Sequence, residues 1–323
     1  MSDYFSSLNG VRQGGIASPI LYCVYVDELL NRLKQNGCGC WIGHHYAASL
    51  CYADDLTLLS PTVHGLQQML QVCEEYAKDY GMFFNPVKSV CTMFTKKRIN
   101  SFPSVYLCGD KLSWVQQVKH LGSILSGSLS EGPEIALKRG DLVGRTNVVV
   151  STLHKAPDDV ILEVFKTQVC HFYGAAAWDF NDPRVNDFHT MWNRCARRIL
   201  GLPGRTRTRY LPHLMGTPRS KIQVYNRFLK LLHKMLKSDN IIMRHISNHG
   251  LVCKNTVIGH NLHTIDCDTA LTMTTQDLFN DNVKVKDFTS VDDLCTVKAI
   301  KDLRSGEVQF DDANDFLVFL CIS

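Results

Sequence analysis

A chain of 323 residues with 45% hydrophobic and 20% charged content is long enough for two or three globular domains, and its ordinary glycine and proline content excludes collagen-like and low-complexity classes. Thirteen cysteines, an odd number without dense regular spacing, do not read as a secreted disulfide framework, and no secretory or membrane-spanning apolar run is legible, so an intracellular setting, nuclear or cytoplasmic, is expected. The net charge of +4 conceals an asymmetry: residues 188–238 contain no Asp or Glu, whereas from Asp239 onward thirteen acids face seven Lys and Arg.

In chain order, residues 6–8 suit the end of a strand, and Gly10, Val11, Arg12, Gln13, Gly14 and Gly15 then lead to Ser18 and Pro19. Serine followed by proline predicts a helix start, with Ser18 as N-cap. Apolar Ile20, Leu21, Val24, Leu29, Leu30 and Leu33 continue that helix at its own period, and Gly37 ends it. Residues 38–42 and 49–52 read as strands flanking a turn, with Asp54 and Asp55 at the next reversal before Leu56, Thr57, Leu58 and Leu59. A second helix is predicted over 62–80, its stripe being Val63, Leu66, Met69, Leu70, Cys73, Tyr76 and Ala77, and Gly81 its stop. A strand over 89–94, a hairpin from 105–108 and 111–115 about Gly109 and Asp110, and a short strand over 120–125 follow. From residue 131 the pattern is mostly helical, with helices predicted near 131–154, 158–174, 184–201 and 218–238. Weak helical periodicity recurs around 291–303 without indicating a fold.

Adjacent acids between apolar segments need a physical reason, because like charges held close repel and their burial is costly unless they pair or bind a cation. Asp54 and Asp55 therefore suit a metal-binding turn, the alternative being a solvated Asp-Asp turn. Gln13, Gly14 and Gly15 precede a helix N-terminus, where free N–H groups and absent side chains let a nucleotide or template approach; a plain turn is the other reading. Lys88 follows Asn85 and Pro86 in a loop near that turn, either solvated or poised to protonate a leaving group. In the acid-free segment Arg194, Arg197, Arg198, Arg205, Arg207 and Arg209 lead a run of cations interleaved with Trp192, Tyr210 and Tyr225, which suits a phosphate backbone or a solvated helix surface. Cys38, Cys40, His44, His45 and Cys51 offer enough ligands for zinc, but in a spacing that is not a strong zinc pattern, and a strand pair with a His-rich turn accounts for them equally.

The ordered set Gly10 to Gly15 with Ser18 and Pro19, then Tyr52, Ala53, Asp54 and Asp55, then Gly81 with Asn85 and Lys88, then His120, Leu121 and Gly122, resembles the reverse transcriptases of non-LTR (LINE-type) retrotransposons. The resemblance is strong over about residues 8–125, weaker through 194–221, and faint beyond 240. It implies an α+β fold, a partial polymerase palm of antiparallel sheet with two packed helices, followed by a mostly helical thumb-like and C-terminal region. The divisions it implies are residues 1–126 for the palm, 127–240 for a basic thumb-like region, and 241–323 for an acidic extension. It further implies an RNA-directed DNA polymerase in which Asp54 and Asp55 bind metal and Lys88 is the proton donor to pyrophosphate. Gln13, Gly14, Gly15 and Tyr52 would line template and nucleotide, and Leu121 and Gly122 would grip the primer. Arg194, Arg197, Arg198, Arg205, Arg207 and Arg209 would hold nucleic acid. The implied cofactor is Mg2+ in a two-metal site, and the implied partners are an RNA template, a DNA primer and dNTP, with no membrane.

The chain also departs from that family. Its members carry a further metal-binding Asp on a strand upstream of the Gln-Gly-Gly motif, whereas here twelve residues precede Gln13 and Asp3 is the sole acid among them. The expectation is a truncated element or partial gene model whose two-metal site is incomplete and whose activity is small or absent. An incomplete sheet would also present an unpaired strand edge. The alternative function is a basic nucleic-acid-binding protein without catalysis.

Overall fold

The computed structural model describes residues 15–95, 101–274 and 317–322, which form a mixed helix and strand structure. It divides into two compact units, residues 1–130 with 312–323 and residues 131–311. Gln13, Gly14 and the periodicity around 291–303 lie outside the described residues.

The first unit opens with helix α1 (Ser18–Asn36), which carries Pro19 in its first turn and stops at Gly37 in the left-handed region. Ser18 is the first residue of the helix rather than its cap, a role that falls to Ala17. The buried stripe is Val26, Leu29 and Leu33, whereas Ile20, Leu21 and Val24, expected on it, are exposed. Strands β1 (Trp41–Ile42) and β2 (His45–Tyr46) form a small hairpin, and β3 (Ser49–Tyr52) and β4 (Asp55–Ser60) form the next. Helix α2 (Val63–Tyr80) starts where the Thr62 side chain accepts a bond from the Gly65 N–H at 3.0 Å, and it stops at Gly81. All of its predicted stripe packs into one core with Leu29, Leu33, Leu56 and Leu58. Arg32 of α1 bridges to Asp79 of α2 at 2.6 Å and to Glu28 at 2.8 Å while lying over the Tyr76 ring, which fastens the two helices together.

Strand β5 (Val90–Phe94) leads through hairpin β6 (Tyr106–Leu107) and β7 (Asp110–Lys111) to β8 (Ser113–Trp114). The hairpin turns at Cys108 and Gly109, both at positive φ, so Asp110 already belongs to a strand. Gln67 of α2 exchanges two 2.9 Å bonds with the Tyr106 backbone, so the hairpin is held against the helix. The short strand expected over 120–125 is instead two strands, β9 (Gln117–His120) and β10 (Ser123–Ser126), because Leu121 and Gly122 turn the chain at φ of 46° and 80°.

The principal sheet has the order β3-β4-β11-β5-β8, where β11 is Leu317–Ile322. β11 pairs antiparallel with β4 on one side and with β5 on the other. The sheet expected to be antiparallel has one parallel pair, β5 with β8, since the residues carrying the β6–β7 hairpin supply the crossover that a parallel return requires. The inner edge of β4 is thus paired, by a strand from the far end of the chain.

The second unit is helical: α3 (Gly132–Thr152), α4 (Asp158–Val164) running into a wider turn over Phe165–Val169, α5 (Pro183–Ile199), α6 (Leu211–Met215), α7 (Ser220–Leu236), α8 (Ile241–Val252) and α9 (Val257–Thr274). The four predicted helices are present, the one expected over 158–174 stopping at Val169, and α6, α8 and α9 are additions. One core joins Phe165, Trp178, Phe188, Trp192, Tyr225, Phe228, Leu251 and Leu262, so α8 and α9 pack with α5 and α7. Buried Asn261 of α9 accepts from the Phe180 N–H at 2.8 Å and donates to the Trp178 carbonyl at 2.7 Å, which closes the loop between α4 and α5 over the core.

Candidate metal and nucleic-acid sites

The β3–β4 hairpin presents the acidic pair. Tyr52 pairs with Asp55 across a loop of two residues, Ala53 and Asp54, and Ala53 takes a φ of 52°, the sign of a type II′ turn that glycine would adopt without cost. Asp54 is exposed and Asp55 half-buried, while Leu56, Thr57 and Leu58 behind them are buried. The turn is thus held by the core, with Asp54 at its exposed tip. Tyr52, in the same turn, is 65% exposed.

Helix α1 contributes residues that the sequence did not single out. Burial, followed by the charges of Cys51, Asp54, Cys23 and Asp55, holds the Tyr22 phenol above its usual pKa, so it stays a neutral O–H within electrostatic reach of the acids. Cys51 is likewise raised, by burial first and then by Cys23 and both aspartates, and its thiol donates to the Ala53 carbonyl at 3.4 Å. The signal was present in the spacing: Tyr22, Val26, Leu29 and Leu33 follow one another at helical intervals, so Tyr22 shares the face that packs on the sheet. Above it the helix surface is apolar and open, with Ile16 at 98% exposure and Ile20, Leu21, Val24 and Tyr25 around it.

Gly15, whose carbonyl accepts from the Ser18 N–H at 3.2 Å, makes the turn into α1. Lys88 is exposed, in a loop shaped by Asn85, whose side-chain oxygen accepts from the Val87 and Lys88 N–H groups at 3.0 and 3.3 Å. Cys321 faces both Thr57 and Val90 across the sheet, so Lys88, two residues before Val90, stands at the same end of the sheet as Asp55. Leu121 and Gly122 form the tip of the β9–β10 hairpin, with Leu121 exposed.

The donor set at the turn suits a hard cation. Two consecutive carboxylates repel a phosphate on their own, and their oxygens are the ligands that a hard divalent cation prefers. Among the described residues no three His, Cys, Asp or Glu side chains gather into a closed metal site. The same finding disposes of a zinc module at Cys38, Cys40, His44, His45 and Cys51: Cys38 instead donates to Gln68 at 2.8 Å, and the histidines belong to the β1–β2 hairpin.

In the helical unit the cations and the aromatics part company. Arg194, Arg198, Arg205, Arg207 and Arg209 are exposed, and Arg209 lies over the exposed Tyr210 ring, 4.8 Å from its centroid. Arg197 is half-buried and donates to the Thr206 carbonyl at 2.9 Å, the Asn193 carbonyl at 3.3 Å and the Thr208 hydroxyl at 2.9 Å, so it staples the loop that carries the other arginines. Trp192 and Tyr225, read as aromatics interleaved with the cations of a phosphate-binding run, are core residues at 0% and 2% exposure. Their spacing is that of a helix stripe, which burial claimed.

Residues 3–125 match the family described as reverse transcriptase (RNA-dependent DNA polymerase). The chain is 25% identical over 226 residues to the RNA-directed DNA polymerase from mobile element jockey of Drosophila funebris, covering 65% of this chain and 24% of that protein. It is 25% identical over 203 residues to the retrovirus-related Pol polyprotein from type-1 retrotransposable element R1 of Bradysia coprophila, covering 59% of this chain and 19% of that protein. A shorter segment of 79 residues is 39% identical to the corresponding R2 polyprotein of Nasonia vitripennis, covering 24% of this chain and 8% of that protein. The chain therefore spans about a quarter or less of the length of these curated relatives.

Proposed function

We propose, starting from residues 3–125 as a reverse transcriptase segment of the non-LTR retrotransposon kind, that this chain carries the metal-binding turn of an RNA-directed DNA polymerase palm. The observation that carries the reading is the β3–β4 turn, where Asp54 and Asp55 emerge side by side from a buried strand with the neutral Tyr22 phenol within electrostatic reach of them. Asp54 and Asp55 would hold Mg2+, which when bound would supply Lewis-acid stabilisation of the oxygens in nucleotidyl transfer from a deoxynucleotide to a primer 3′-hydroxyl. Asp54 and Asp55 hold that charge in place, Asp54 being the more essential. Lys88, at the same end of the sheet, donates a proton to the departing pyrophosphate. Gln13, Gly14, Gly15 and Tyr52 line the template and nucleotide, and the Leu121–Gly122 tip holds the primer. Residues 127–240 act as a thumb-like region whose exposed arginines neutralise phosphates, and residues 241–323 are an acidic extension of it.

Two-metal chemistry depends on a preorganised ligand set of which Asp54 and Asp55 are two members, so low polymerase activity of the 323 residues on their own is part of this proposal. The test is Mg2+-dependent incorporation of labelled dNTP by the purified chain on an RNA template with a DNA primer. Trace incorporation that Asp54→Ala removes is expected. Vigorous incorporation removed by the same change would keep the site and reject the impairment, and incorporation indifferent to it would reject the site.

A further inference from the structure

Helices α8 and α9 meet at a tight corner, and a histidine and a cysteine come together there. His249 lies in the last turn of α8 and Cys253 caps that helix, its N–H donating to the His249 carbonyl at 2.8 Å. Residues four apart on a helix share a face, and here the Cys253 Sγ lies 3.5 Å from the His249 Nδ1. Both residues are half-buried, so solvent and small ions reach the pair.

The corner fixes the backbone on both sides of Cys253. The Thr256 hydroxyl donates to the Cys253 carbonyl at 2.8 Å and accepts from the Gly259 N–H at 3.1 Å, which caps the start of α9. The Thr256 N–H donates to the same Cys253 carbonyl at 3.2 Å. A Cβ at Gly250 would come within 2.6 Å of the Ile258 side chain, so only glycine lets α8 approach α9 this closely. Two side chains held on an already ordered backbone lose little freedom when they bind a common ligand.

Their separation is that of two ligands on one ion. Zinc bonds of about 2.05 Å to nitrogen and about 2.3 Å to sulfur, set at the tetrahedral angle, place the two ligand atoms about 3.6 Å apart. The end of α8 also favours a cation, because its last carbonyls carry partial negative charge that opposes a bare thiolate. That weighs against a nucleophilic thiol and for a thiolate neutralised by a metal. We propose that His249 and Cys253 form a two-ligand site for a borderline-soft divalent cation of the zinc class, the thiol proton passing to solvent as the ion binds. Among the described residues no third His, Cys, Asp or Glu gathers with the pair, so water completes the shell. Imidazole and thiolate are softer ligands than the carboxylates of the acidic turn, so the two places select different ions.

The test is alkylation of the full chain by iodoacetamide, with peptide mass spectrometry reading Cys253 separately from the other cysteines and the exposed Cys108 as the reference thiol. Zn2+ alone is titrated in. The rate at Cys253 relative to Cys108 is expected to fall roughly tenfold once free Zn2+ exceeds its dissociation constant by about that factor, and to recover when a chelator is added. His249→Ala should abolish most of that protection while circular dichroism shows the helices intact. Should His249→Ala fail to fold, His249→Gln removes the imidazole while keeping a side chain of similar reach. An alkylation rate at Cys253 indifferent to Zn2+ would mean that the pair is only a thiol–imidazole hydrogen bond and would overturn the site. Protection that survives loss of the imidazole in a folded variant would overturn it as well, because the thiol would then bind the ion without its partner.

Discussion

Glu131 and His189 carry opposite proton linkages within the helical unit. Burial pushes the Glu131 carboxyl up to about 7, even though the Asp179 N–H donates to it at 2.6 Å. A raised folded-state value means that its contribution is fully present below the unfolded carboxylate value and is lost as pH climbs through 7. Burial, with Lys221 nearby, pulls the His189 imidazole down from 6.5 to about 4, leaving it neutral, with Nδ1 within 3.0 Å of the Ser220 hydroxyl. Its contribution is present above 6.5 and lost as pH falls toward 4, at most about 3 kcal/mol at 1.36 kcal/mol per unit. The two slopes oppose one another in the acid range. Glu131→Gln is therefore expected to raise the thermal midpoint at pH 8, by an amount of order 1 kcal/mol after solvent screening, and to leave it unchanged at pH 4.5. In the same variant the acid loss due to His189 becomes visible between pH 6.5 and 4. An equal effect at both pH values would contradict the Glu131 assignment. At this scale the acidic turn was legible because adjacent aspartates favour a reversal between two apolar strand segments, and what it binds was not, since a solvated turn reads the same. Tyr22 had a trace in its helical interval to Val26, but the open apolar residues Ile20, Leu21 and Val24 mimic the buried stripe, so only the packing of α1 tells which face meets the sheet.

Hairpin tips and caps govern the elements. Leu121 sits at a φ of 46°, a region where a bulky side chain is strained and which asparagine tolerates, and it precedes Gly122 in a two-residue loop. Leu121→Asn is expected to stabilise the first unit by roughly 0.5–1 kcal/mol, read as a higher denaturant midpoint at unchanged slope. A decrease would show that Leu121 packs in a way that outweighs its backbone strain. At the start of α2, Thr62→Ala removes the side-chain acceptor of the Gly65 N–H and is expected to cost about 1 kcal/mol in the same measurement. α1, α2 and the four predicted helices of the second unit were readable because their signals are local: proline at the start, glycine at the stop, and an apolar stripe between. The strand expected over 120–125 was misread for a related reason. A leucine followed by glycine reads as strand continuation, and only the positive φ of both residues turns it into a hairpin.

For the whole molecule, the separation of charge has a measurable consequence. Arg205, Arg207 and Arg209 are exposed on a loop that Arg197 holds from beneath. Changing the three to Gln should weaken RNA binding and flatten its salt dependence by roughly 0.7 for each single-strand phosphate that is no longer neutralised. Asp54→Asn should leave that slope unchanged, which separates binding by the arginines from chemistry at the turn. An unaltered slope in the triple variant would move the nucleic-acid surface elsewhere.

By itself, the amino-acid sequence determined what neighbours along the chain settle: the acidic turn with its flanking strands, the glycine stops, the helix stripes, and the order of motifs that resembles a non-LTR reverse transcriptase. The tertiary structure alone decided which aromatics belong to the core, that Arg197 braces a loop, that Tyr22 stands within electrostatic reach of the aspartates, and that Leu317–Ile322 fills the gap between β4 and β5. The physical reason is one of range. Turns, caps and stripes are stabilised within a few residues and leave a local trace, whereas a central strand is selected by two partners distant in sequence, and its apolar run reads the same whatever sheet will receive it.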